Sequence, residues 1–250
     1  MVPLMIETFA KKLEDVKDLP EKVVKEAVFG SQFHTICSGG AYLNPEYIEL
    51  FERFGIQILQ GYGMTECSPV ISTNVAWNVK KNSVGQLLPN CEAKTVDGEL
   101  WVRGSSVMQG YYKMPEETKT ALKDGWLCTG DLGYVDEERF IYLTGRKKNL
   151  IITKNGENVS PEELENKLSS SRLVQEVLVR EAKGVIEAEI YPDEEYAKKQ
   201  GLEREEEVRV ELQKLIDEYN QGAPAYKKIY SLIIRDKEFE KTASRKIKRY

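Results

Sequence analysis

A chain of 250 residues with 41% hydrophobic and 31% charged side chains is large enough for one sizeable domain or two smaller ones, and its composition is that of a soluble globular protein. Its net charge of -5, from 36 basic and 41 acidic residues with no basic stripe, argues against non-specific nucleic-acid binding. A single histidine, His34, and four scattered cysteines (Cys37, Cys67, Cys91, Cys128) leave little for a zinc site or a Ser-His-Asp triad, and they suit a reduced, cytoplasmic protein.

No apolar run reaches the length of a membrane span. The opening "MVPLMIETFAKKLEDVKDL" lacks the basic head and long apolar core of a signal peptide, while Ile6, Phe9, Leu13 and Val16 recur at helical spacing. Its abrupt apolar beginning gives the expectation that the sequence starts inside a longer protein. "EKVVKEAVFG" is a helix closing at Gly30, and "FHTICSGG" is a short strand ending in a glycine turn. "NPEYIELFERFG" opens with Asn44 as N-cap and Pro45 at the first helical position, and stops at Gly55. "IQILQGYG" is another strand running into glycines. Strand, glycine turn, helix, strand, glycine turn is the rhythm of an α/β layer, whose ligands bind at the carboxyl edge of the strands. Both glycine turns fall at that edge.

From about Val79 the pattern shortens. "SVGQLLP", "CEAKTV", "GELWVRG" and "GYVDEERFIYLTG" are brief strands divided by Gly, Pro and Asp-Gly turns, with "PEETKTAL" as a helical insert. After Gly145 a basic cluster, Arg146-Lys147-Lys148, precedes a compact α+β segment. There "SPEELENKL" starts a helix with Ser160 as N-cap and Glu163 completing a capping box. "VQEVLVR", "VIEAEIYP" and "YSLIIRD" are strands, and "REEEVRVELQKLIDEYNQ" is a charged helix. "KTASRKIKRY" is a basic tail of the kind that frays. The expected organisation is an α/β segment over 1–78, a β-rich segment over 79–145 in the form of a small distorted barrel, and an α+β domain over 146–250.

Three stretches carry candidate chemistry, each with a plainer reading beside it. In "GYGMTE" the glycines allow close backbone approach, Thr65 suits phosphate oxygens, Glu66 suits Mg²⁺ beside phosphate, and Tyr62 could stack on a base. Equally, it is a tight turn with Thr65 as helix N-cap. In "CTGDLG" Asp131, held in a glycine turn at a strand end, could accept from a ribose diol, or could simply cap the turn. Arg146 and Lys148 mark either an anion site at a domain joint or a solvated junction.

Taken in order, "SGGAYLNPE", "GYGMTECSPV", "VGQLLP", "GELWVRG", "GYYKMPEET", "DGWLCTGDLG" and "GRKKNLIITKNGENVSPEELE" resemble the adenylate-forming superfamily, and most nearly its long-chain fatty acyl-CoA synthetases. The resemblance covers the chain from about residue 30 and matches the C-terminal half of such enzymes. It implies the end of a doubly wound α/β subdomain, a β-rich subdomain and a mobile C-terminal domain turning about Lys148. It further implies that Gly39, Gly40 and Ala41 line the acyl and adenine pocket, with Tyr62 and Gly63 at the adenine. Thr65 would contact phosphate and Glu66 would hold Mg²⁺. Asp131 would take the ribose hydroxyls, Arg146 would stand near the ribose and α-phosphate, and Gly156 would line the CoA channel. Lys246 would reach the carboxylate and α-phosphate during adenylation.

The implied substrates are a fatty or other carboxylic acid, ATP and CoA, with peripheral membrane contact left open. Transfer to a carrier protein, and a non-catalytic nucleotide-binding module, are the alternatives. The family's phosphate loop, of the type "TSGTTG…PKG", does not occur in these residues. An N-terminal half of the same protein is expected to supply it, and the chain alone is expected to be poorly active. Two further departures stand out: Arg245 precedes Lys246 where the family usually has glycine, and Lys148 occupies a hinge position often held by aspartate.

Overall fold

A computed structural model describes residues 1, 3–16, 18–242 and 247–249. The chain divides into two compact units, Met1–Thr144 and Gly145–Tyr250. The first begins with α1 (Pro3–Glu14), α2 (Glu21–Val28), β1 (Thr35–Gly39), α3 (Pro45–Arg53), β2 (Gln57–Gly63), β3 (Val70–Thr73) and β4 (Gln86–Leu87). It continues with β5 (Cys91–Val96), β6 (Glu99–Gly104), α4 (Pro115–Ala121), β7 (Leu122–Lys123), β8 (Trp126–Val135) and β9 (Ile141–Arg146).

The nine-residue α3 is too short to be stable in isolation, so burial decides its fate. Ile48, Leu50 and Phe51 face inward, each contributing about 1.5–3 kcal/mol of apolar transfer. Its ends follow the sequence signals. The Asn44 side chain accepts from the Glu46 amide at 3.0 Å, and Gly55 leaves the helix at φ +65°. Helix α1 packs on α3 through Ile6, Ala10 and Leu13, and Phe29 bridges Phe9 and Phe51.

Strands β1 and β2 run parallel in the register Thr35↔Gln57 to Gly39↔Gly61, and β3 and β4 extend the sheet antiparallel. Because β1 and β2 are parallel, their glycine-bearing ends emerge at one edge. Strand β4 comes from the β-rich stretch and pairs Gln86 with Thr73, so the two textures of the sequence share one sheet. A second core, containing Tyr62, Ile71, Leu87, Leu100, Val102, Leu127 and Ile141, lies under the other sheet, ordered β5-β6-β8-β7 with β9 on β8.

One local expectation is corrected here. "CTGDLG" is not a turn at a strand end but the interior of the ten-residue β8. The register against β6 slips there, from Trp101↔Cys128 to Glu99↔Leu132, and Gly130 takes φ +71°. A bulge therefore absorbs the glycine and aims Asp131 without ending the strand.

The second unit holds β10 (Ile151–Ile152), β11 (Asn158–Val159), α5 (Pro161–Leu168), β12 (Val174–Ala182), β13 (Val185–Pro192), α6 (Glu194–Lys199), α7 (Glu205–Gly222) and β14 (Ile229–Ile234). Strand β13 is central, antiparallel to β12 and parallel to β14. Alternation sends Ile186, Ala188 and Ile190 into the core beside Leu164, Leu168, Leu212 and Ile216. It sends Glu187 and Glu189 to the other face, where Arg180 reaches both, Ser231 donates to Glu187 at 2.9 Å, and Arg235 pairs with Glu189. Among the described residues no helix is long and apolar enough to cross a membrane.

Two expectations fail in this unit. Ser160 precedes α5 but makes no capping bond. Its hydroxyl donates to Glu162 at 3.0 Å, while Glu163 is drawn away to Lys227 at 2.7 Å, so no capping box forms. Nor is the described part of the tail frayed: Arg249 grips Glu165 at 2.5 Å, Lys248 donates from its amide to the Glu240 carbonyl, and Lys241 bridges to Ile247. Burial pushes the Glu165 carboxyl up, against the opposing pull of Arg249.

Candidate functional site

The parallel edge of β1 and β2 gathers the two glycine motifs. A Cβ on Gly39 would lie 2.9 Å from the Gly61 carbonyl oxygen, so Gly39 is needed for the strands to pass. Gly40 has φ +88° and open space where a Cβ would stand, and Ala41 beside it is exposed. This is bare, accessible backbone at a strand edge.

Gly63 is the tightest point of "GYGMTE". A Cβ there would sit 2.1 Å from the Pro69 carbonyl oxygen, in a loop closed by a bond from the Met64 amide to that same oxygen at 2.8 Å. Gly63→Ala is expected to destabilise the protein by about 3 kcal/mol through forced overpacking, read as a lowered urea midpoint. An unchanged midpoint would show that the loop relaxes freely.

After this loop, Thr65–Cys67 forms a single 3-10 turn, with Met64 rather than Thr65 at its cap. Thr65 is exposed. Glu66 is half-buried, and its Oε1 accepts from the Tyr111 hydroxyl at 2.9 Å. Burial, and then this bond to Glu66, raises the Tyr111 phenol above its ordinary pKa. Cys67 is fully buried and pushed up to about 12, by burial first and by Cys91 and Glu66 after it. It is a neutral thiol at pH 7 and no nucleophile.

The Tyr62 ring sits in the second core, 9% exposed, and its hydroxyl donates to Asp131 Oδ2 at 2.5 Å across 69 residues of sequence. Asp131 is itself 5% exposed. The β8 bulge is held by three bonds: Thr129 Oγ1 donates to the Leu100 carbonyl at 2.7 Å, the Gly130 amide to Glu99 Oε1 at 2.9 Å, and the Asp131 amide to Thr129 Oγ1 at 3.1 Å. The structure thus joins Tyr62 directly to Asp131 and brings Gly39, Gly40 and Ala41 to the same sheet edge as Gly63.

In the second unit, Arg146 ends β9 and is half-buried, and Lys148 lies exposed in the 3-10 turn Lys147–Asn149. Gly145 before them has φ +155°, and a Cβ there would meet Ser160 Oγ at 2.0 Å. Gly156 forms the tight turn between β10 and β11 at φ +80°, with no neighbour within 4 Å of a Cβ position. Lys246 lies outside the described residues.

Sequence reasoning missed Tyr111, Glu99 and Thr129 as supports of the site. Tyr111 lay within "GYYKMPEET", but nothing local pairs it with a glutamate 45 residues earlier.

The donors fit a shared metal better than a protein-only one. Among the described residues no group of three or more His, Cys, Asp or Glu could hold a metal ion by itself. A single carboxylate with one oxygen already held by a phenol matches Mg²⁺, which takes one or two protein oxygens and completes its shell with phosphate and water.

Residues 1–112 match the AMP-binding enzyme family, and residues 148–250 match the AMP-binding enzyme C-terminal domain. The long-chain-fatty-acid–CoA ligase of Bacillus subtilis is 39% identical over 163 residues, covering 60% of this chain and 29% of the ligase. A 4-coumarate–CoA ligase-like protein of rice is 43% identical over 165 residues, covering 59% of this chain and 30% of that protein. The chain thus spans about 30% of the length of these curated relatives. The o-succinylbenzoate CoA synthetase of Bacillus subtilis, solved with its acyl-adenylate intermediate, superimposes with a TM-score of 0.76 at 28% identity, covering 99% of this chain and 49% of that one. The same synthetase has been solved with ATP and a magnesium ion. Two consecutive stretches matching one family, on the fold of its solved members, establish that this chain belongs to the AMP-binding, adenylate-forming enzymes.

Proposed function

We propose that the protein is an ATP-dependent acid–thiol ligase that converts a carboxylic acid, in our reading a fatty acid, to an acyl adenylate and passes the acyl group to CoA. The observation that carries this reading is the convergence at the β1/β2 edge of bare backbone at Gly39 and Gly40 with the Tyr62–Asp131 pair and the Thr65–Glu66 turn. The fatty-acid assignment rests on the relatives' names, and a rice sequence of similar identity is named 4-coumarate–CoA ligase-like instead.

In this reading Gly39, Gly40, Ala41 and Gly63 border the acyl and adenine pocket, and Tyr62 contributes there while orienting Asp131. Asp131 accepts from the ribose hydroxyls, Thr65 donates to phosphate, and Glu66 holds Mg²⁺. When bound, that ion would supply positive charge against the phosphate oxygens. Arg146 stands near the ribose and α-phosphate. Lys246 meets the anionic carboxylate and α-phosphate as they approach, a charge that develops fully only in the transition state.

Two half-reactions in one site call for two sets of groups. We assign the parts as 1–78 and 79–145 for nucleotide and acyl binding, and 146–250 as a domain turning at Lys148 to exchange Lys246 for the Gly156 loop. We place the protein in the cytoplasm, which its four scattered cysteines suit.

No residue run here replaces a phosphate loop, so that element is assigned to the remainder of the protein. In a pyrophosphate-release assay with fatty acid and MgATP, the full-length protein is expected to turn over. The 250-residue chain alone is expected to be slower by at least about 10²-fold, the usual effect of removing transition-state donors. Robust turnover by the chain alone would refute this division of labour. Offering CoA and a holo carrier protein in parallel identifies the acceptor, and transfer to the carrier alone would overturn the CoA assignment.

A further inference from the structure

We propose that Tyr111 is a positioning residue that fixes the carboxylate of Glu66 for binding the phosphate-bound divalent cation. The inference rests on the reading of Glu66 given above.

Glu66 stands on a three-residue turn between exposed Thr65 and fully buried Cys67, so Cys67 anchors the turn but leaves the Glu66 carboxylate to be held by other groups. The restraints come from a distant segment. The Met108 amide donates to the Glu66 carbonyl at 2.8 Å, Ser68 Oγ donates to the Ser106 carbonyl at 3.0 Å, and the Tyr111 hydroxyl donates to Glu66 Oε1 at 2.9 Å. Only the last acts on the carboxylate.

Tyr111 is anchored in turn by α4. Its amide donates to Thr118 Oγ1 at 2.9 Å, and that hydroxyl donates to the Met114 carbonyl at 2.7 Å. Gly110, at φ +154°, passes so close to Thr118 that a Cβ would lie 2.7 Å from its methyl group. The chain α4, Thr118, Tyr111, Glu66 thus carries rigidity from a helix to a carboxylate on a short turn. A phenol on Oε1 orients the carboxylate without neutralising it and leaves Oε2 for the ion. Lysine or arginine in its place would compete with the cation, and among the described residues no ion pair involves Glu66. Hydrogen-bond partners of metal ligands tune affinity in this way.

The test uses the full-length protein, Mn²⁺ as probe and a non-hydrolysable ATP analogue, with bound Mn²⁺ read by electron paramagnetic resonance. Tyr111→Phe keeps the ring and removes the donor. It is expected to weaken Mn²⁺ binding by about 10–100-fold, to raise the Mg²⁺ needed for half-maximal pyrophosphate release, and to recover rate at saturating Mg²⁺ with an unchanged melting temperature. If Y111F binds Mn²⁺ like the parent while Glu66→Gln does not, the positioning role is wrong and the Glu66 reading stands. If Glu66→Gln also binds like the parent, the Glu66 reading itself fails and takes this inference with it. Should Y111F melt early, Thr118→Val carries the same comparison: weakened Mn²⁺ binding supports the proposal, and unweakened binding overturns it.

Discussion

Replacing Lys246 by alanine in the full-length protein is expected to slow acyl-adenylate formation by about 10²- to 10³-fold, the scale on which loss of one preorganised transition-state donor is felt. A carboxylate attacking the α-phosphate brings two anions together, and the ammonium group is worth most at the moment of closest approach. Its loss should therefore fall on the rate at saturating substrate far more than on the concentration of ATP needed. Transfer to CoA from a chemically supplied acyl adenylate should be much less affected, because that step has no anionic encounter for this lysine to relieve. Lys246 lies outside the described residues; of the described residues of this tail, Lys241 pairs with Glu176 and Glu238, and Arg249 with Glu165. Pyrophosphate exchange and thioester formation measured separately decide the matter. Equal loss in both half-reactions, or none in the first, would remove Lys246 from its role.

Asp131→Asn should produce the opposite kinetic pattern. The ribose lies away from the reacting phosphorus, so the bonds proposed from it to Asp131 would hold substrate and transition state alike. Exchanging the carboxylate for an amide weakens charge-assisted bonds worth about 1.5–3 kcal/mol each, which corresponds to a rise of about 10–100-fold in the KM for ATP with kcat little changed. The amide keeps an oxygen to accept from Tyr62, at the position where the carboxylate now accepts at 2.5 Å, so the fold should survive. Asp131→Ala would remove the buried bond from the Tyr62 hydroxyl altogether and mix a folding defect with a binding one. An unchanged KM for ATP in the asparagine variant would mean that Asp131 serves the sheet and not the nucleotide.

Local chemistry made much of the fold legible. Asn44, Pro45 and Gly55 bracket α3 because capping and left-handed geometry act within a few residues, and "IQILQGYG" is a strand because its alternation has a buried side to match. The failures are all places where a distant group won. Ser160 and Glu163 carry a capping-box pattern, yet Lys227, 64 residues away, claims the glutamate. The glycine of "CTGDLG" signals a turn, but a partner strand with Glu99 to hold its amide turns it into a bulge within β8. The tail is basic, and basic tails usually fray, but Glu165 on α5 gives Arg249 a half-buried partner. The same logic governs the site. Its candidate groups lie in local motifs, whereas the contacts made to them, by Tyr111 on Glu66 and by the β8 bulge at Asp131, exist only through long-range packing.

The most direct test of acid activation through an adenylate uses a fatty acid labelled with ¹⁸O in its carboxylate, given to the full-length protein with MgATP and CoA. If the carboxylate attacks the α-phosphate and CoA then displaces AMP, one labelled oxygen must leave with the nucleotide. Mass spectrometry should find AMP carrying one ¹⁸O, formed together with acyl-CoA. Unlabelled AMP, or labelled inorganic phosphate accompanied by ADP, would contradict the account.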